Sequence, residues 1–183
     1  MKNAIILHGL SGSSNENWFP WLKDELVKSG YTVRVPDLPH SDDPDRNEWI
    51  EAITKIFADW KLEETIVIAH SLGVPAVLDF LELNDKGVLK KLVSVAGFAH
   101  AYGFQANQKY MESRSIDLEN VKKKISRTIA IYSDNDPYVT QEALKGLADG
   151  LGGEKVLLKG QKHFSMGSFG PKYKAFPELL KYL

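Results

Sequence analysis

Cysteine occupies none of the 183 positions. That absence removes disulfide bridges, thiol nucleophiles and cysteine-ligated metals. Charge of one sign is scarce too: 23 basic residues against 24 acidic ones leave a formal net charge of -1. Such a balance offers no basic footprint for nucleic acid. No apolar run approaches the roughly 18 residues that a membrane-crossing helix needs, so no membrane association is expected. The N-terminal run "AIIL" is too short for a signal-peptide core, and a cytoplasmic location is the expectation. Repeats, low-complexity tracts and linkers are missing as well, so a single domain over residues 1–183 is expected, long enough for a sizeable core.

What is present is a regular alternation. Short β-rich runs lie at about 3–7 (NAIIL), 31–36 (YTVRVP), 65–69 (TIVIA), 90–96 (KKLVSVA), 128–133 (TIAIYS) and 154–158 (EKVLL). Their nearly continuous apolar character is that of parallel strands buried on both faces. Amphipathic stretches at about 17–29, 45–60, 72–84, 117–125, 140–150 and 173–183 read as the intervening helices. Gly30 suits a helix end, and Pro44 with Asp45 suits a helix start. Strand and helix repeated six times predict an α/β fold with a doubly wound, six-stranded parallel sheet. Right-handed crossovers then bring every strand's C-terminal end to one edge, where ligands bind. The segment 97–116 (GFAHAYGFQANQKYMESRSI) is the longest irregular piece, too short for a cap domain.

Chemistry-bearing residues fall on that edge. In "IVIAHSLG" a strand stops at Ser71 and helical spacing resumes after it. A serine raised on a sharp strand-to-helix turn needs small residues two before and two after, and Ala69 and Gly73 supply them. The alternative for Ser71 is a plain helix N-cap. A serine nucleophile needs a base, and His163 in "KGQKHFSM" follows the last strand. His70 adjoins Ser71, where neighbouring side chains diverge, and His40 and His100 lie in irregular stretches without an assigned part. The base needs a carboxylate to orient it. "SDNDPYV" after the fifth strand offers Asp134 and Asp136, and Asp136, stiffened by Pro137, is preferred. The order Ser71, Asp136, His163 is that of α/β-hydrolases. "HGLSGSS" after the first strand bends at Gly9 and Gly12, so the Leu10 and Leu72 backbone amides form a candidate oxyanion hole and His8 a packing residue. A phosphate-binding turn is the rival for that loop, but G-L-S-G is not G-x-G-x-x-G.

"HGLSGSSNENWFPWLKDEL", "VPDLPHSDDPDRNEWI", "IVIAHSLG", "SDNDPYV", "KHFS" and "FPELL" together resemble the small serine hydrolases of the retinoblastoma-binding protein 9 type, nearly end to end. The resemblance implies an α/β-hydrolase fold with a six-stranded parallel sheet and no large cap. It also implies a triad falling on Ser71, Asp136 and His163. Ala69, where glycine is usual, and Lys162, where glycine often precedes the histidine, depart from the pattern. One member of that family is known as a protein-binding partner, so a protein partner enters as an alternative: an interaction module, non-catalytic or weakly catalytic, on a hydrolase fold.

The expected activity is carboxylesterase-like hydrolysis of small esters or amides through an acyl-enzyme, chemistry that calls for no metal or organic cofactor. Trp18, Tyr102 and Phe104, with Phe19, Trp21, Tyr110 and Met111, lie in segments that could wall an acyl pocket or equally pack the core. With no long insertion, an open site suited to short acyl chains is expected.

Overall fold

The computed structural model describes residues 2–183. Six strands form one parallel sheet: β1 (Asn3–Leu7), β2 (Thr32–Arg34), β3 (Thr65–His70), β4 (Lys91–Val95), β5 (Thr128–Tyr132) and β6 (Glu154–Leu157). Their order across the sheet is β2-β1-β3-β4-β5-β6, with every pairing parallel. Every residue of β1, β3 and β5 is buried, which explains their unbroken apolar runs. The edge strands β2 and β6 are half-covered or exposed. β2 stops short of the expected 31–36 run; Pro36 lacks the N–H that a ladder needs.

Among the described residues six α-helices connect the strands, α1 (Phe19–Lys28), α2 (Arg46–Ile56), α3 (Gly73–Leu83), α4 (Gln105–Glu112), α5 (Leu118–Lys122) and α6 (Gln141–Leu151), and a short α7 (Met166–Phe169) follows β6. Asp45 starts α2 by accepting the Asn47 and Glu48 amides, and Gly152, left-handed at φ 60°, ends α6. Two elements differ from the sequence expectation. The 97–116 segment contains α4, and the expected helix at 173–183 is two 3₁₀ segments, Pro171–Lys174 and Pro177–Tyr182. Pro177 has no N–H for an α-helical bond and interrupts that periodic stretch. Among the described residues no helix is long and apolar enough to cross a membrane.

The chain leaves β1 toward β2 on one side and returns to β3 on the other. The strand order therefore reverses between β1 and β3, and a crevice opens beyond their C-terminal ends. Residues 8–12 and 71–73 border it. A row of small side chains crosses the sheet beneath: Ala69 pairs with Ser94, and Ser94 with Ala130.

Candidate active site

Between β3 and α3 only Ser71 and Leu72 make the turn. Ser71 has φ 52°, left-handed backbone that a residue with a Cβ adopts at a cost of about 1–3 kcal/mol. Surrounding contacts hold it there. Its amide donates to the Val95 carbonyl at 2.9 Å, and its own carbonyl accepts the Val74 amide at 3.0 Å. The loop after β1 presses against this turn. A Cβ on Gly9 would stand 2.8 Å from the Ser71 Cβ, and one on Gly73 only 2.4 Å from the His8 carbonyl oxygen. Glycine is thus required at both places by close approach. At Ala69 the methyl is accommodated: the residue is fully buried, in register between Leu7 and Ser94.

Leu10 follows Gly9 on this loop, and the Leu72 nitrogen is 3.1 Å from where a Gly9 Cβ would sit. Among the described residues neither amide donates to a protein acceptor. Both N–H groups are therefore available to a ligand. His8 lies behind this loop. Its Nε2 accepts the Leu38 amide and its Nδ1 donates to the Gly9 carbonyl, both at 2.8 Å. That pattern fixes the neutral tautomer, and burial lowers its pKa. The expectation that His8 is a packing residue agrees with this placement.

His163 arrives on the loop after β6. Its Nδ1 lies 2.8 Å from Asp136 Oδ2. The Asp136 side chain is fully shielded, and its other oxygen accepts the Tyr138 and Val139 amides at 2.9 and 3.0 Å. A carboxylate held by three bonds accepts from Nδ1–H, which leaves the Nε2 lone pair of His163 free. Asp134 is used differently: its Oδ1 accepts the Gly160 amide at 2.7 Å and ties together the loops after β5 and β6.

Both neighbours of His163 are left-handed, Lys162 at φ 50° and Phe164 at φ 53°. Lys162 thus adopts a glycine-like conformation without being glycine. Four bonds brace this strained loop. His70 Nε2–H donates to the His163 carbonyl at 2.8 Å, and Trp18 Nε1–H to the Phe164 carbonyl at 3.0 Å. The Lys162 amide donates to Asn135 Oδ1 at 2.8 Å, and the His163 amide to Ser168 Oγ at 3.2 Å. His70 is pushed down to about 3, by burial first and by the nearby His163 second, so it stays neutral. Its side chain diverges from Ser71, as expected at a sharp turn, but it returns beneath the histidine loop, a part that sequence reasoning missed. Trp18 is a correction. It is fully buried against Phe19, His70 and Phe176, beneath the site rather than in its wall.

Ser71 and His163 open on one cleft of about 350 Å³. Tyr102 and Phe104 line it, joined by Phe19, Tyr138 and Asn107. Tyr102 stacks on Phe104, Phe104 meets Tyr138, and the Tyr138 ring stands edge-on to His163 at 5.0 Å. This aromatic wall comes from the 97–116 segment and the turn after β5. Tyr110 and Met111 are buried in the core, away from the cleft lining. Among the described residues no cluster of three or more His, Asp or Glu side chains could hold a metal ion.

Residues 4–183 match the family described as serine hydrolase. The chain belongs to the serine hydrolase family. It is 30% identical over 148 residues to YdeN of Bacillus subtilis (strain 168), whose name places it among the hydrolases; the match covers 80% of this chain and 77% of YdeN. The crystal structure of the ydeN gene product superimposes with a TM-score of 0.91 at 26% identity, covering 100% of this chain and 96% of that one. A structure from work on carboxylesterases of the thaumarchaeon Nitrososphaera gargenis matches with a TM-score of 0.74 at 11% identity, covering 99% and 89%, a likeness of fold alone. The fold is the α/β-hydrolase fold, six parallel strands flanked by helices, without a large cap among the described residues.

Proposed function

We propose that the protein is a carboxylesterase-like serine hydrolase that cleaves small esters or amides through a Ser71-His163-Asp136 triad. The observation that carries this reading is the His163–Asp136 bond of 2.8 Å opening on the same cleft as Ser71. Ser71 Oγ attacks the substrate carbonyl while His163 Nε2 takes its proton. The carbonyl π electrons move onto oxygen, and the Leu10 and Leu72 amides stabilise that charge. His163 then gives the proton to the leaving group as the tetrahedral intermediate collapses to an acyl-enzyme. Water, deprotonated by the same imidazole, releases the acid. Asp136 holds the tautomer that makes each transfer possible. Within the family, the six motifs quoted above favour the retinoblastoma-binding protein 9 type.

Labelling with a fluorophosphonate probe tests the proposal, because the probe reacts only with an activated serine. The native protein should label, and Ser71→Ala should abolish labelling while its circular dichroism spectrum stays native. An unlabelled native protein would leave the non-catalytic interaction module as the better reading. Labelling of the variant would put the nucleophile elsewhere.

A further inference from the structure

We propose that Asn107 and Tyr102 recognise an amide group in the substrate, so that the preferred acyl part carries a secondary amide rather than a bare alkyl chain. This rests on the hydrolase reading above and names the substrate class for the same cleft. Asn107 sits on α4 and lines the cleft with Tyr102, yet only 4% of its surface is exposed. Its Nδ2–H donates to the Tyr102 hydroxyl at 2.9 Å, while its Oδ1 is buried with no hydrogen-bond partner. Buried polar atoms nearly always have a partner. An orphaned one in the wall of a cleft points to a partner that arrives with the ligand.

The pair specifies what that partner must offer. With Nδ2 on Tyr102, the Asn107 Oδ1 remains as an acceptor and the Tyr102 O–H as a donor. With the carboxamide turned over, Tyr102 donates to Oδ1, and the Nδ2 hydrogens and the hydroxyl lone pair remain. Either way one donor and one acceptor are left side by side on adjacent groups. A secondary amide carries both complements, its N–H on one edge of the trans unit and its C=O on the other, so whichever edge faces the pair finds a partner there. A carboxylate only accepts, an ammonium only donates, and an alkyl chain does neither. The χ2 torsion of asparagine is broad, so a turn of the carboxamide presents it to a seated ligand. The apolar remainder of the acyl group would lie along Phe104 and Tyr138. Burial raises the Tyr102 pKa to about 12, which keeps the phenol protonated as a donor.

Two esters of equal acyl length give the test: p-nitrophenyl N-acetylglycinate and p-nitrophenyl pentanoate. Each kcat/KM is divided by that ester's own hydroxide-catalysed rate, which removes intrinsic reactivity. The native protein should favour the amide ester by about tenfold after this correction, the size of one well-made hydrogen bond. Asn107→Leu and Tyr102→Phe should each lower activity on the amide ester roughly tenfold more than on the alkyl ester. A corrected ratio near one in the native protein would overturn the inference. So would variants that lose both esters equally, because Asn107 would then only hold α4 in place. If Asn107→Leu does not fold, Tyr102→Phe carries the comparison. Fluorophosphonate labelling separates the two levels of argument. A labelled protein without the preference defeats this inference alone, whereas an unlabelled protein that cleaves neither ester defeats the hydrolase reading.

Discussion

At the scale of single residues, two aspartates two positions apart follow the same strand, and their hydrogen bonds separate their roles. Asp136 bonds His163, and Asp134 bonds the Gly160 amide. Asparagine at 136 would offer an N–H to His163 Nδ1, favour the other tautomer and occupy Nε2 with the proton it must accept. Asp136→Asn should therefore lower kcat on p-nitrophenyl acetate by about 10⁴-fold, the size of the equivalent change in chymotrypsin-like serine proteases. Asp134→Asn should cost less than about threefold, since an amide oxygen can still accept from Gly160. The reverse ranking would remove Asp136 from the proposed triad. These residues were legible in the sequence because the chemistry demands particular side chains at strand ends. His70 and Trp18 were not. Their bonds reach carbonyls 93 and 146 residues away, and no local pattern encodes such a return.

At the scale of elements, the strands were legible because burial on both faces writes continuous apolar runs, whereas α4 was not. Its sequence, QANQKYME, is mostly polar, and its covered face rests on Asn107, Tyr110 and Met111. What anchors it is an ion pair from elsewhere. Arg46, at the start of α2, donates to the carbonyls of Tyr110, Met111 and Arg114 at the C-terminal end of α4. A cation there also complements the helix dipole. Asp79 on α3 holds the same guanidinium through two bonds of 2.7 Å, and the two side chains are 5% and 0% exposed. Removing one partner strands a buried charge. Arg46→Met should lower unfolding stability by about 3–5 kcal/mol, measured by urea titration. The Arg46→Met/Asp79→Leu double variant should recover part of that loss, because no lone charge remains. A single-variant cost under about 1 kcal/mol would show that the pair is not the anchor of α4.

Across the whole molecule, two buried neutral histidines tie the strand ends together, and their protonation links the site to global stability. His8 joins the loop after β1 to Leu38 beyond β2, and His70 joins the turn after β3 to the loop after β6. Both have folded pKa values below the ordinary 6.5, with His70 at about 3, and burial is the first cause for each. Below about pH 6.5 the unfolded chain therefore binds protons that the folded chain refuses, and stability falls as pH falls. For His70 the loss continues down toward pH 3. Each such histidine steepens the decline by up to about 1.4 kcal/mol per pH unit. His70→Gln keeps an N–H donor but cannot take up a proton in this range. Its urea-unfolding stability should be lower than native at pH 8 and should fall less steeply between pH 6 and 4.5. A variant whose stability declines as steeply as the native protein's would mean that His70 accepts a proton without unfolding. The neutral tie from His70 to the His163 carbonyl would then not be what secures the histidine loop.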